Sequence, residues 1–403
     1  MTTTTLPDRA TFADTLGTTA LAARLGARLL LEKVLRPRPY SFTDIPCNYE
    51  SVTPEWLTAV LCRDVDGAAV TSVRLGRGST GTSARRQLLL EYNDAGRRAG
   101  LPASVFAKGT PNLITRIAGT VSESMTGEAY FYRQIRPELS IEAPTGYHSA
   151  FDLGSGRSIH LLEDLVETKG ATFCTPETHV WRTQAEEIVA LLATLHGSYY
   201  ESPRFAADLA HIVRWPVEYG RMVRTVDLKK YHHRGFDKAG DAIPPSVRRR
   251  SAEVWPAIIR STALHDRLAQ TLVHCDVHLG NWYITVGGTM GLLDWQCLAR
   301  GHWSRDLAYA LSATLTIDDR RAWERDLIAL YLDLFGAHSG VTIGFDEAWL
   351  RYRQQMFGAL AFWTPTYAPP AFAPKNMQPP ATALEMIRRF AQAIEDLESL
   401  DSL

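Results

Sequence analysis

The stretch Leu272-Val-His-Cys-Asp-Val-His-Leu-Gly-Asn-Trp-Tyr-Ile284, followed by Gly291-Leu-Leu-Asp-Trp295, gathers the chain's most reactive side chains. Two short apolar runs each end at an acidic residue. Between them His274, Asp276, His278 and Asn281 fall within eight positions. Asp276 and Asn281 are five apart, and Asp294 lies eighteen beyond Asp276 (294 − 276). A carboxylate can accept a proton, and a second carboxylate with an amide oxygen suits a hard cation better than a histidine cluster does.

The remainder of the chain bounds what this stretch can do. Its 403 residues suffice for two or three compact units with real cores. A hydrophobic share of 45% and a charged share of 22% are ordinary for a globular protein. The formal net charge of −1 gives no global field toward nucleic acid or a membrane. Five scattered cysteines without a C-x-x-C spacing argue against a disulfide scaffold or zinc ribbon and fit a reducing cytoplasm. The N-terminus lacks the basic start of a signal peptide. The apolar stretch from Leu21 to Leu35 is interrupted by Arg24, Arg28, Glu32 and Lys33, so it reads as an amphipathic helix and not a membrane span.

Outward from there, residues 12–35 form that helix, which stops before Pro37 and Pro39. It is the first part of an extension over 1–50, docked on the main body in the simplest reading. Thr53, Pro54 and Glu55 open a second helix as cap, first-turn proline and dipole-favoured acid. Val70 to Leu75 reads as a strand running into Gly76-Arg-Gly-Ser-Thr-Gly81, with Arg86 to Tyr92 as its return. Between antiparallel strands such glycines form either a plain hairpin turn or a loop whose N–H groups approach phosphates. Pro102 to Lys108 is a buried-type strand ending on a lysine, which needs a partner because an unpaired buried ammonium is costly. Met125 to Ile135 offers a helix carrying Glu128, with Glu123 as the substitute acid. Residues 147–153 and 157–162 pair around Gly154-Ser-Gly156 and end at Glu163, Asp164 and Leu165, where a unit boundary at 165/166 is expected.

Beyond 183 the pattern is helical. Ile188, Leu191, Leu192 and Leu195 form a core-facing stripe, and His196 follows as a structural residue. Residues 204–260 carry twelve Lys and Arg against six Asp and Glu: a solvated helical surface or, in the functional alternative, an anion-binding one. Arg300 to Tyr309 leads into another helix, and 320–335, 347–363 and 380–400 read as helices. Trp363 to Pro374 is too proline-rich for a regular helix.

Over residues 51–360 the chain resembles the aminoglycoside phosphotransferase, choline kinase and ecdysteroid kinase-like group of small-molecule kinases. The signature is His274-Cys-Asp-Val-His-Leu-Gly-Asn281 with Leu292-Leu-Asp-Trp295. His278, the absence of an Ala-Pro-Glu element and the short chain after Asp294 favour this group over protein kinases. Cys275 stands where the group has glycine, and Leu279 where proline is common; neither change removes a reacting group.

The resemblance implies an α+β, two-lobed, protein-kinase-like fold. An N-lobe of antiparallel sheet plus helix spans 51–165, and a mainly helical C-lobe spans 166–403. It implies ATP and Mg²⁺. Asp276 would accept the acceptor hydroxyl's proton, Asn281 and Asp294 would hold the metal, and His274 and His278 would fix the loop. Gly76, Gly78, Ser79 and Gly81 would cover the phosphates, Lys108 would hold them with Glu128 as its partner, and Glu163, Asp164 and Leu165 would offer backbone groups to adenine. The acceptor would be a hydroxylated small molecule. The basic 204–260 segment and the aromatic 363–374 stretch favour a neutral or anionic, partly apolar one over a polycationic aminoglycoside. Two other classes compete: a metal-dependent phosphoesterase built on His274, Asp276 and His278, and a catalytically inactive kinase-like binder. The first leaves Lys108, Glu128 and the glycines unexplained; the second is weakened because every expected reacting residue is present.

Overall fold

The computed structural model describes residues 4–80, 83–122, 124–370 and 378–403. The chain divides into two compact units. The smaller comprises Ala13–Glu138 and Ala143–Ala171; the larger comprises Met1–Phe12, Leu139–Glu142 and Thr172–Leu403. The chain changes unit at 171/172, somewhat past 165/166, because a short helix intervenes and ends on Gly170 in the left-handed conformation (φ 56°). The 1–50 stretch is split: its first residues join the larger unit and the remainder the smaller.

In the smaller unit, α1 (Phe12–Leu35) ends before the prolines, and α2 (Pro54–Leu61) is capped by Thr53, whose hydroxyl accepts from Trp56 N–H at 3.2 Å. Strands β1 (Val70–Thr80), β2 (Ala84–Tyr92), β3 (Ser104–Gly109), β4 (Gly146–Asp152) and β5 (Arg157–Glu163) form an antiparallel sheet in the order β1-β2-β3-β5-β4. Around it lie α3 (Asp94–Arg98), α4 (Leu113–Val121), α5 (Ser124–Tyr130) and α6 (Leu165–Lys169). The core joins Trp56, Leu57 and Val60 of α2 to Leu88, Leu90, Val105 and Leu161 of the sheet.

Two local expectations change here. Gly76 and Gly78 lie inside β1, at an irregularity between Leu75 and Gly78, and not in a loop after it. The close return of β2 demands them: a Cβ on Gly76 would sit 2.5 Å from Gln87 Oε1, and one on Gly78 2.6 Å from the Arg85 carbonyl oxygen. Gly81 and Glu123 lie outside the described residues. The helix expected over 125–135 is α5 followed by a π-helical turn, Phe131–Ile135. Helix α4, which the sequence reading did not include, is built from Ile, Thr and Val residues that disfavour helix, and the reciprocal cap between Asn112 and Thr115 starts it.

Helix α1 is tied to the sheet by charge. Arg116, fully buried on α4, donates to Glu32 Oε2 at 2.6 Å and to the carbonyls of Cys47, Thr110 and Ser155, while Arg157 approaches Glu32 Oε1 at 3.6 Å.

The larger unit is mainly helical. Its helices are α7 (Arg182–Ser198), α8 (Trp215–Val226), α9 (Leu228–Ala239), α10 (Pro245–Arg249), α11 (Ser251–Leu264), α12 (Ser304–Thr314), α13 (Ile317–Ser339), α14 (Phe345–Gln354), α15 (Phe357–Tyr367) and α16 (Pro380–Asp396). Its strands are short: β6 (Thr172–Phe173), β7 (Thr271–Val273), β8 (Trp282–Ile284), β9 (Met290–Leu292) and β10 (Ala299–Gly301), as a β6-β8-β9 sheet and a β10-β7 pair. The reading of 363–374 as non-helical fails for its first residues. Helix α15 runs through Pro365 to Tyr367, with the hydroxyls of Thr364 and Thr366 bonding the carbonyls of Leu360 and Phe362. Proline is accepted there because the helix ends within a turn of it. Residues 371–374 of that stretch lie outside the described residues. No helix among the described residues is long and apolar enough to cross a membrane.

Two predictions follow from these contacts. Glu32→Ala leaves Arg116 buried without its counter-charge, which costs about 3–5 kcal/mol; urea unfolding of Glu32→Ala against Glu32→Gln, which keeps an acceptor, measures it. Buried imidazoles also set an acid limit. Burial pushes His148 down to about 4, and His232 and His265 down to about 3. Each is neutral in the fold and takes up a proton on unfolding below its ordinary value near 6.5. The unfolded chain then binds more protons, so stability is full above that value and declines as pH falls toward the folded values. Urea midpoints therefore fall between pH 7 and 5, and a flat profile over that window contradicts the assignment.

Candidate active site

Antiparallel pairing places directly opposite residues on one face of a sheet. In the smaller unit the registers Ser79↔Arg85, Arg85↔Lys108, Lys108↔His160 and His160↔Ser149 make one row across all five strands. Lys108 Nζ meets Glu128 Oε2 of α5 at 2.6 Å, with both side chains buried. The sequence thus located this pair correctly across twenty residues. Phe106, two residues before Lys108, shares its face with its partners Gln87 and Leu162. Arg85 and Lys108 bring two cations side by side next to the glycine-bearing hairpin.

The stretch after β5 holds its own backbone. Asp164 is fully buried; its carboxylate accepts from Gln87 Nε2 at 2.7 Å and Ser104 Oγ at 2.6 Å, and Arg77 approaches at 3.5 Å. Glu163 accepts from Thr145 N–H at 2.9 Å and Thr168 Oγ at 2.7 Å, with Lys169 at 3.6 Å. Burial alone would raise the Glu163 carboxyl, but these donors and the Lys169 charge hold it below the usual range. Leu165 begins α6. Both acidic side chains lock the segment, and the Glu163 N–H is itself bonded to the Thr145 carbonyl at 2.9 Å.

In the larger unit, β7 delivers the chain into a loop whose backbone is anchored by one carboxylate. Asp306, fully buried near the start of α12, accepts from His274 N–H at 2.6 Å, Cys275 N–H at 2.9 Å and His196 Nε2 at 3.2 Å. Burial would push the Asp306 carboxyl up, yet the His196 hydrogen bond and the Arg305 charge hold it below the usual carboxylate range. Cys275 takes the left-handed conformation (φ 68°), which a non-glycine residue adopts at a cost of about 1–2 kcal/mol. Its carbonyl is bonded by Arg305 Nη2 at 3.1 Å, so both of its peptide groups are pinned; the Arg305 guanidinium lies 3.6 Å from the Trp215 ring centre. Burial pushes the Cys275 thiol far above its ordinary value, which makes it an inert packing residue.

The two histidines serve the loop. His274 Nε2 donates to the Leu293 carbonyl at 3.1 Å and Nδ1 accepts from Asp276 N–H at 3.2 Å. Burial keeps His274 below its ordinary value against the pull of Asp306 and Asp276, in keeping with this neutral tautomer. His278 Nδ1 accepts from Gly280 N–H at 3.1 Å and caps the turn Leu279–Asn281. Its Nε2 lies 3.8 Å from Asp276 Oδ2.

Asp276 is surrounded by donors. Asn281 Nδ2 reaches Asp276 Oδ2 at 3.2 Å and its carbonyl at 2.7 Å, and Tyr309 Oη donates to Oδ1 at 3.2 Å. With its nitrogen on Asp276, the Asn281 amide turns its oxygen to the opposite side. The Asn281 carbonyl accepts Leu293 N–H at 2.9 Å, and Asp294 follows in the left-handed conformation (φ 68°). Leu293 therefore stitches the Asp276–Asn281 loop to Asp294 through both of its peptide groups. One amide oxygen and one carboxylate are hard ligands that fit Mg²⁺.

A transition-metal centre fits poorly. Both His274 nitrogens and His278 Nδ1 are engaged by backbone groups, and among the described residues no group of three or more His, Cys, Asp or Glu could hold a metal ion. The 204–260 segment is also resolved. Arg204 pairs with Asp208, Arg214 with Asp266, Arg221 with Glu218, Lys229 with Asp8, Arg248 with Asp241, and Arg250 with Glu253 and Asp401. Much of its positive charge is thus neutralised within the fold.

The sequence reading missed Asp306, Arg305 and Tyr309 as parts of the site. The available signal was composition: Arg305 and Asp306 are the only charges in α12, whose residues are all buried. The structure predicts that Asp306→Asn, which keeps shape but removes an acceptor oxygen, speeds amide exchange across 272–281 by at least tenfold. Hydrogen-exchange mass spectrometry of that peptide is the measurement; unchanged protection would disprove the anchoring.

A profile of the phosphotransferase enzyme family matches residues 98–351. No curated protein matches the chain in sequence. Among solved structures, the choline kinase LicA from Streptococcus pneumoniae is similar at 15% identity, covering 82% of this chain and 94% of that one, with a TM-score of 0.44. An ethanolamine kinase from Plasmodium vivax is similar at 11% identity, with 89% and 92% covered and a TM-score of 0.46. A GDP complex of aminoglycoside 2'-phosphotransferase-IIIa is similar at 9% identity, with 84% and 99% covered and a TM-score of 0.48.

Proposed function

The chain belongs to the phosphotransferase enzyme family and is a small-molecule kinase; from that premise we propose that it moves the γ-phosphoryl group of ATP to a hydroxyl of a small molecule, with Asp276 as the proton acceptor. The observation that carries this reading is the donor-surrounded Asp276 stitched through Leu293 to Asp294. Phosphoryl transfer spreads negative charge over oxygens, so catalysis is positioning plus electrostatic stabilisation.

In this reading Asp276 accepts the acceptor's hydrogen as its oxygen attacks. Lys108, held by Glu128, places its charge on the nucleotide phosphates. The hairpin bearing Gly76, Gly78 and Ser79 offers N–H groups over them. Phe106 and Leu162 give adenine an apolar surface beside Glu163, Asp164 and Leu165. Asn281 and Asp294 would hold Mg²⁺, which when bound neutralises charge on the phosphoryl oxygens. His274 and His278 keep the loop in shape. The cytoplasm suits such an enzyme, since the cysteines that the structure describes are free thiols.

The acceptor is proposed as a neutral or anionic, partly apolar metabolite. Internal pairing of the 204–260 charges removes most of the electrostatic support for an anion. The apolar part rests on the aromatic composition of the 363–374 stretch in the sequence.

ADP release from MgATP, screened against apolar alcohols, sugars, choline and aminoglycosides, tests the reading. Asp276→Ala lowers turnover by roughly 10²–10⁴-fold, and Asp294→Ala abolishes it. Full activity in either variant overturns the assigned roles, and transfer confined to polycationic aminoglycosides overturns the acceptor class.

A further inference from the structure

Asp276 carries a second set of contacts that the transfer reaction alone does not require. Tyr309 of α12 donates to Asp276 Oδ1 at 3.2 Å, and Trp363 Nε1 of α15 donates to Tyr309 Oη at 2.8 Å. The direction of both bonds is fixed. An indole N–H is a donor only, so Tyr309 Oη accepts from it and turns its own hydrogen toward Asp276. Burial, and after it the Asp276 charge, holds the Tyr309 phenol far above its ordinary value, so the hydroxyl keeps its proton. Asn281 Nδ2 holds the other carboxylate oxygen at 3.2 Å. His278 closes the ring, with its Nε2 3.8 Å from Asp276 Oδ2 and its ring nearly perpendicular to that of Trp363 at 5.3 Å. Trp363 and Tyr309 are almost wholly enclosed.

We propose that Trp363 and Tyr309 form a one-way donor relay that holds the Asp276 carboxylate in its proton-accepting orientation, so that both are positioning residues for phosphoryl transfer; this rests on the functional reading above. A carboxylate gripped at one oxygen can swing about its Cβ–Cγ bond. Gripped at both, by Tyr309 and Asn281, it presents a fixed lone pair to the acceptor. The relay itself moves no proton. The acceptor's hydrogen passes to Asp276 as the acceptor oxygen bonds to the γ-phosphorus; the bond from that phosphorus to the β,γ-bridging oxygen breaks and ADP leaves. Asp276 later returns the proton to solvent. The relay places part of the control of this base on α15, 87 residues away in sequence (363 − 276).

The test compares Tyr309→Phe, Trp363→Phe and the double variant, each checked for an unchanged melting temperature, using ADP release from MgATP with water as the acceptor. Loss of orientation lowers kcat roughly ten- to a hundredfold in Tyr309→Phe while KM for ATP stays within about twofold. Trp363→Phe has a smaller effect, and the double variant matches Tyr309→Phe because Trp363 acts only through it. A kcat for Tyr309→Phe within twofold of the parent, or single effects that multiply in the double variant, overturns the relay. A second readout needs no turnover. The indole N–H resonance of Trp363, identified by its loss in Trp363→Phe, shifts in both Tyr309→Phe and Asp276→Asn. If neither substitution moves it, the relay is wrong. If it responds while the parent protein releases no ADP with water or with any acceptor of the screen above, the hydrogen-bond relay stands and the phosphotransferase reading has failed.

Discussion

The site of the larger unit depends on one buried carboxylate. Asp306 accepts two successive backbone N–H groups, from His274 and Cys275, and a histidine from α7. A charge in such a place is tolerated only when its hydrogen-bonding capacity is met. Meeting it forces the chain at 274–275 into one path, and the left-handed turn at Cys275 is the result. From that turn Asp276 emerges with its side chain toward Tyr309 and Asn281. His274, thrown to the other side, reaches Leu293 and so sets Asp294. The spacing that stands out in the sequence is thus the visible part of a network whose centre lies thirty residues further on (306 − 276).

The smaller unit reaches a comparable precision by different means. There the sheet register does the aligning, since Arg85, Lys108 and His160 share a row because their strands pair antiparallel. Lys108 is fixed by an ion pair with Glu128, and α1 by the ion pair of Arg116 with Glu32. Buried ion pairs add little net stability compared with apolar packing, but losing one partner is severe. They act here as registration pins between helices and the sheet.

What could be read from the sequence follows from the range of the interactions. Strands β1 to β5, α1 and α2 depend on local patterning, and each lies within a few residues of where the sequence places it. The Lys108–Glu128 pair was legible because one lysine ended an apolar strand and one acid sat on the next good helix. The roles of Asp306, Tyr309 and Trp363 were not legible, because each depends on a contact between segments far apart in the chain. The proline rule misjudged the end of α15, where Pro365 falls in the last turn and loses little. The surplus of Lys and Arg in 204–260 suggested anion binding, but its acidic partners include Asp8, Asp266 and Asp401, which no window on that segment contains.

The position of the first residues bears on how the chain is made. Thr4 donates to Asp266, and Asp8 accepts from Lys229 and Trp255, all in the larger unit. During synthesis this segment is made well before its docking surface, which is completed only after residue 266 has followed. The smaller unit, built almost wholly from residues 13–171, has its own partners within reach much earlier. A growing chain can therefore acquire a folded smaller unit while residues 4–12 still wait for their partners.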